Sequence, residues 1–167
     1  RSATQVDAEL LEAANRLQVV GRAGVGLDNV DTAAATASGI LVCNAPESNV
    51  VSAAEHSVGL LLALARNVAQ AHGALVDGRW ERSAWTGVEL LNKTVGIVGL
   101  GRVGRLVAQR LSGFDVQIIA FDPFVSPESA REVNAEMVEL DELLARSDFV
   151  TVHLPKNEET LGLFDAS

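Results

Sequence analysis

The sequence is poor in cysteine, in basic charge and in long apolar runs. One cysteine, Cys43, stands in 167 residues, which excludes an internal disulfide and the paired-cysteine spacing of a structural zinc site. No metal site is expected. A bilayer span needs roughly 18 to 20 uncharged apolar residues, and "VGLLLALA" falls far short of that. Lys and Arg total 13 against 22 Asp and Glu, a net charge of −9. Nucleic acid and anionic membrane are therefore poor partners, because phosphate surfaces are met by basic faces. With a single cysteine the expected compartment is cytoplasmic, and the sequence shows no initiating Met, no signal-peptide apolar core and no transit-peptide bias. The chain stops at "LFDAS" without a closing element, and the expectation is a polypeptide cut at both ends.

What is present is a chain that can build a core: 48% of its residues are hydrophobic and its mean hydropathy is +0.21. "TQVDAELLEAANRL" carries apolar residues at helical spacing, with Thr4 as the expected N-cap. Gln18 to Arg22 reads as a strand, "VDTAAATAS" as a short helix stopped by Gly39, and Ile40 to Asn44 as a second strand. Asp28 and Asp31 read as loop and cap residues. Ser52 and Glu55 match a capping box, opening an expected helix over 52–73 that is apolar on much of its surface. An irregular connection bearing Trp80 and Trp85 follows. From Thr94 onward the pattern alternates β-α-β-α-β, with strands at 94–98, 116–121 and along "DFVTVHL". The expected fold class is α/β: a Rossmann-like parallel sheet with helices on both faces, preceded by a fragment of a flavodoxin-like domain. The expected division is 1–45 and 46–167.

Gly99-Leu-Gly101-Arg-Val-Gly104 is G-x-G-x-x-G. Alone that pattern is weak. Here a β-branched strand precedes it, an amphipathic helix opens within it, and a second strand ends in Asp122, 18 residues beyond the last glycine. That context is the dinucleotide fingerprint. Gly99 permits the turn, Gly101 lets backbone approach a pyrophosphate, and Gly104 lets helix and strand pack closely. The helix N-terminus faces the phosphates, with Arg102 adding charge. Asp122 would accept from the ribose hydroxyls and repel a 2′-phosphate, so NAD is expected rather than NADP.

Along its whole length the sequence also resembles a known family. "RSATQVDAELLEAA", "VVGRAGVGLDNVD", "NAPESNVVSAAEH", "DGRWERS", "NKTVGIVGLGRVGR", "FDP" and "DFVTVHLP" together resemble the D-isomer-specific 2-hydroxyacid dehydrogenases. The first four runs resemble the members that oxidise D-3-phosphoglycerate to 3-phosphohydroxypyruvate in serine biosynthesis. The resemblance implies a substrate domain and an NAD domain with a cleft between them, a small anionic 2-hydroxy acid as substrate, and a homo-oligomer, dimer or tetramer. It implies that Arg1, Arg22, Gly24, Val25, Gly26 and Asn49 meet the substrate. It likewise implies that Gly99, Gly101, Arg102, Val103, Gly104, Asp122, Leu154, Pro155 and Thr160 meet the cofactor. The family's catalytic Arg, Glu and His would lie beyond Ser167, so this stretch by itself is expected to be inactive. A glycerate or hydroxypyruvate dehydrogenase and a non-catalytic NAD-binding module stay open as alternatives.

Of the three histidines, His56 and His72 fall within the apolar helical pattern and read as structural or surface residues. His153 ends a strand at the edge where cofactors bind, but the sequence shows no orienting partner for it as a base. Cys43, on an apolar strand, reads as buried and inert.

Overall fold

The computed structural model describes residues 3–157 and 159–164. Arg1 lies outside them. The chain divides into two compact units, residues 1–51 and 52–167.

In the first unit, helix α1 (Ala8–Ala13) precedes strand β1 (Val19–Arg22), helix α2 (Thr32–Ala37) and strand β2 (Leu41–Asn44). The strands pair in parallel, Val19 opposite Leu41 through Arg22 opposite Asn44. Both helices are capped by aspartate: Asp7 accepts from the Leu10 N–H at 3.0 Å and Asp31 from the Ala34 N–H at 2.8 Å. The cap expected at Thr4 is therefore Asp7, because Val6 forms a parallel bridge to Val30 that keeps the backbone extended up to the cap. Gly39, at φ 68°, ends α2 as expected. Leu11, Ala35 and Ile40 form a small buried core, while Cys43, expected to be buried, is exposed, because β2 has only β1 beside it among the described residues.

Helix α3 (Val50–Ala65) starts two residues before Ser52. Ser52 is thus inside the helix rather than its cap, since the turn over 46–49 winds directly into it. Glu55 pairs with Arg110 at 3.1 Å instead of closing a capping box. The single helix expected over 52–73 is two, α3 and α4 (Val68–Val76). Asn67, left-handed at φ 52°, separates them; asparagine tolerates that conformation better than most residues. The returning chain fixes the break, with the Val88 N–H donating to the Ala65 carbonyl at 2.8 Å.

The second unit is organised by four parallel strands in the order β5-β4-β3-β6: β3 (Thr94–Val98), β4 (Gln117–Phe121), β5 (Ala135–Met137) and β6 (Phe149–Val152). Helices α5 (Arg102–Leu111), α6 (Pro127–Arg131) and α7 (Leu140–Arg146) connect them. Val95 and Ile97 of β3 pack with Val107, Ala108 and Leu111 of α5 on one face. Val98 and Ile119 pack with Leu143 of α7 on the other. Helices therefore cover both faces, which is why β3 reads as a continuous apolar run rather than an alternating one. At the amino end of the β3–β6 pair, Asp148 accepts from the Thr94 N–H at 2.9 Å and meets Lys93 Nζ at 3.1 Å. These two contacts, the backbone bond foremost, hold its carboxyl below the usual range. The carboxyl ends of the same strands carry the candidate site.

Candidate cofactor site and anion loop

The sheet order reverses between β4 and β6, on either side of β3, and in open α/β sheets the crevice beyond the strand ends at such a point is where ligands sit. Gly99 leaves β3 at φ 92°, a conformation open to glycine. Its N–H donates to the Phe121 carbonyl, and the His153 N–H donates to the Val98 carbonyl, both at 2.8 Å. Gly104 lies in the first turn of α5, where an added Cβ would run into the Gly99 carbonyl oxygen. Gly101 begins α5 without a side-chain cap, and an added Cβ would meet nothing within 4 Å. The motif's three glycines thus serve a turn, an open approach and a close packing.

Asp122 sits at the tip of β4. Its Oδ2 accepts from the Leu100 N–H and its Oδ1 from the Phe124 N–H, each at 2.9 Å. The carboxylate therefore ties the glycine loop to the end of β4. Asp122 also lines a cleft of about 490 Å³, with Phe121, Val125 and Val138 and the carboxylates Glu139 and Glu142 among its walls. Arg102 and Val103 occupy the first turn of α5, Arg102 exposed and Val103 half-buried.

Sequence reasoning passed over Arg105. Its NH1 donates to both the carbonyl and the hydroxyl of Ser129 at 2.8 Å, and its NH2 meets Glu132 at 2.6 Å. It locks α5 to α6, whose Pro127 lines the cleft. A partner 24 residues away leaves no local signal.

Leu154 follows β6 and packs against Val98, Ile119 and Leu143, where an added Cβ on Gly99 would approach its Cδ2. Pro155 and Thr160 are joined to each other, the Thr160 hydroxyl donating to the Pro155 carbonyl at 2.5 Å. Thr160 and Asn157 also exchange side-chain to backbone bonds at 2.9 and 3.0 Å. His153, half-buried, places Nε2 3.0 Å from the Thr151 hydroxyl. Burial pushes its pKa below the ordinary histidine value.

In the first unit, Arg22 ends β1 with its side chain 11% exposed. Its Nε donates to Asn29 Oδ1 at 2.9 Å, and its NH2 lies 3.8 Å from Asp28. The Gly24–Gly26 loop folds over the guanidinium. It is pinned by the Ala45 N–H on the Gly24 carbonyl at 3.0 Å and by Asn44 Nδ2 on the Val25 carbonyl at 2.6 Å. Asn49 is exposed in the turn before α3. The fold thus brings Arg22, Gly24, Val25 and Gly26 together, and Asn49 stands a few residues beyond the strand that pins them.

The profile of the D-isomer specific 2-hydroxyacid dehydrogenase NAD binding domain matches residues 58–167. The chain belongs to the D-isomer-specific 2-hydroxyacid dehydrogenases. It is 57% identical, over 99% of its length, to a D-3-phosphoglycerate dehydrogenase of Mycobacterium bovis, and 48% identical over 100% to that of Rattus norvegicus. It spans 31% of the length of either relative. A solved NAD-dependent formate dehydrogenase from Staphylococcus aureus in complex with NAD superposes with a TM-score of 0.85 at 41% identity, over 96% of this chain and 48% of that one.

The residues of this 2-hydroxyacid dehydrogenase domain fit an NAD molecule on their own terms. The first amides of α5 have no side-chain cap, and the space above Gly101 is open, the arrangement a diphosphate satisfies. Asp122 uses one bond per carboxylate oxygen, which leaves acceptor capacity for ribose hydroxyls. The cleft that Asp122 lines has Phe121, Val125 and Val138 among its walls, apolar surface on which an aromatic base can pack.

Proposed function

We propose that the whole protein oxidises the C2 hydroxyl of D-3-phosphoglycerate with NAD, giving 3-phosphohydroxypyruvate at the entry to serine biosynthesis. The observation that carries this reading is the 57% identity over 99% of the chain to a protein of that name. In it, residues 1–45 belong to the substrate domain and 46–167 to the NAD domain. The protein works as a cytoplasmic homo-oligomer on a small anionic 2-hydroxy acid, without a nucleic-acid or membrane partner. Among the described residues no helix is long and apolar enough to cross a membrane.

Bound NAD supplies the hydride acceptor. The α5 amides and Arg102 meet its diphosphate, and Gly101 keeps that approach clear. Asp122 accepts from the ribose hydroxyls, and its charge disfavours a 2′-phosphate. Val103, Leu154, Pro155 and Thr160 complete the cofactor contacts. Arg1, Arg22, the Gly24–Gly26 loop and Asn49 receive the anionic substrate, the arginines as charge-assisted donors. His153 is not assigned the proton-transfer role. Its ring partner is a hydroxyl rather than a carboxylate, so nothing described there stabilises an imidazolium, and burial favours the neutral ring. The proton acceptor is expected beyond Ser167.

The test is NADH formation by the whole protein with D-3-phosphoglycerate, D-glycerate and D-lactate compared side by side. The expected order of kcat/KM puts the phosphorylated acid first by a wide margin. Equal or faster turnover of an unphosphorylated acid would overturn the substrate assignment.

A further inference from the structure

Arg105 acts from both of its ends. Its backbone N–H donates to the Gly101 carbonyl at 3.0 Å, the bond that closes the first turn of α5. Its side chain leaves that helix for α6, where NH1 meets the Ser129 carbonyl and hydroxyl and NH2 meets Glu132. The Ser129 carbonyl belongs to the last turn of α6, where a helix leaves its carbonyls without intrahelical donors. Ser129 and Glu132 are three residues apart and share one face, which a planar, forked guanidinium spans in a single pose.

Helix α6 needs such an anchor. It has five residues, too few for a helix to hold itself in water. Ala130 and Val133 bury its inner side in the core shared with α5, but apolar burial is non-directional and leaves the lie of α6 along α5 open. The bonds from Arg105 set it. The Arg105 side chain is 28% exposed and that of Glu132 68%, so solvent weakens the ion pair and the two bonds to Ser129 carry most of the constraint.

The lie of α6 matters because Pro127, its first residue, stands with Phe121, Asp122 and Val125 in the walls of the cleft. A dinucleotide with its diphosphate on the α5 amides and its ribose on Asp122 must satisfy both places at once. Asp122 ties the glycine loop to the tip of β4, and Arg105 ties α5 to the wall that holds Pro127. We propose that Arg105 is a positioning residue for the adenosine diphosphate half of NAD, setting the cleft wall at a fixed spacing from the amides that meet the diphosphate. This rests on the reading of α5 and Asp122 as the cofactor site.

The experiment is calorimetric titration of the whole protein with NAD and, separately, with ADP, which carries the adenosine and the diphosphate but no nicotinamide. Melting temperatures are recorded alongside. Arg105→Ala is expected to weaken both ligands alike, by about three- to tenfold, the scale of one hydrogen bond. Arg105→Lys keeps the charge but brings one ammonium where the fork made three bonds. It should hold the fold and bind both ligands with affinities between those of the wild type and Arg105→Ala. A merely structural role would lower the melting temperature and the fraction of sites titrated, and leave both dissociation constants unchanged. Wild-type affinity for ADP in either variant would therefore overturn the proposal. Asp122→Ala, titrated in parallel, tests the reading beneath it and should weaken ADP about tenfold or more, the loss of charge-assisted bonds. Unchanged ADP binding in Asp122→Ala would place the adenosine elsewhere and overturn the cofactor site itself. Unchanged binding in the Arg105 variants alone would overturn only the part assigned to Arg105.

Discussion

Asp122 accepts two backbone N–H groups from its own chain, one of them on Leu100, a fully buried residue. The role proposed for it in choosing the cofactor is therefore coupled to the shape of the glycine loop. Asp122→Ala strands the Leu100 N–H and should cost roughly 1 to 3 kcal/mol of stability even without cofactor. Urea unfolding of the cofactor-free whole protein checks this; an unchanged midpoint would confine the carboxylate to ribose binding. His153 carries a pH signature. Burial lowers its folded-state pKa, so the folded state favours the neutral ring and the unfolded state takes up the proton first. The contribution is fully present above the unfolded value of about 6.5 and is lost as pH falls from there through the lower folded value. His153→Gln should flatten that part of the stability–pH curve, read by thermal melts from neutral to mildly acidic pH. A curve that keeps the wild-type slope would assign it to other groups.

At the scale of the element, the contact between α5 and β3 is set by Gly104, where any side chain meets backbone rather than a yielding side chain. Gly104→Ala is expected to destabilise by about 1 to 3 kcal/mol, the usual cost of overpacking, and to weaken NAD binding because the α5 amides move. Paired thermal melts and NAD titrations test both effects. The same element explains what the sequence disclosed best. A strand buried on both faces, a glycine turn and an amphipathic helix leave dense local signals, and β3 runs over the anticipated Thr94–Val98. By contrast, α6 and β5 have five and three residues, too few for a period to register, and the expected alternation included neither. The division of the long helix at Asn67 was invisible because the hydrogen bond that fixes it comes from Val88, far along the chain. Ser52 and Glu55 match a capping pattern, but a turn upstream had already started the helix.

At the scale of the whole molecule, the parallel α/β class and the NAD assignment were legible, because both follow from alternation and one fingerprint. Asn29 was not. A polar loop residue gives no local sign that the fold will bury it against Arg22. The two units also differ in what they can sustain. Residues 1–51 have a two-stranded sheet and a buried core of Leu11, Ala35 and Ile40, less than an independent fold requires. A peptide of residues 1–51 should give the circular dichroism of an unfolded chain, and a cooperative melt from it would contradict this. The site's central feature is the open space over Gly101. The most direct measurement is an NAD titration by calorimetry of Gly101→Ala in the whole protein, with its melting temperature recorded alongside. Nothing in the chain lies within 4 Å of the added methyl, so the melting temperature should stay at the wild-type value. NAD affinity should fall about tenfold or more, the scale of losing one well-made contact to an anion. NAD binding as tight as in the wild type would place the diphosphate elsewhere and contradict the cofactor site described.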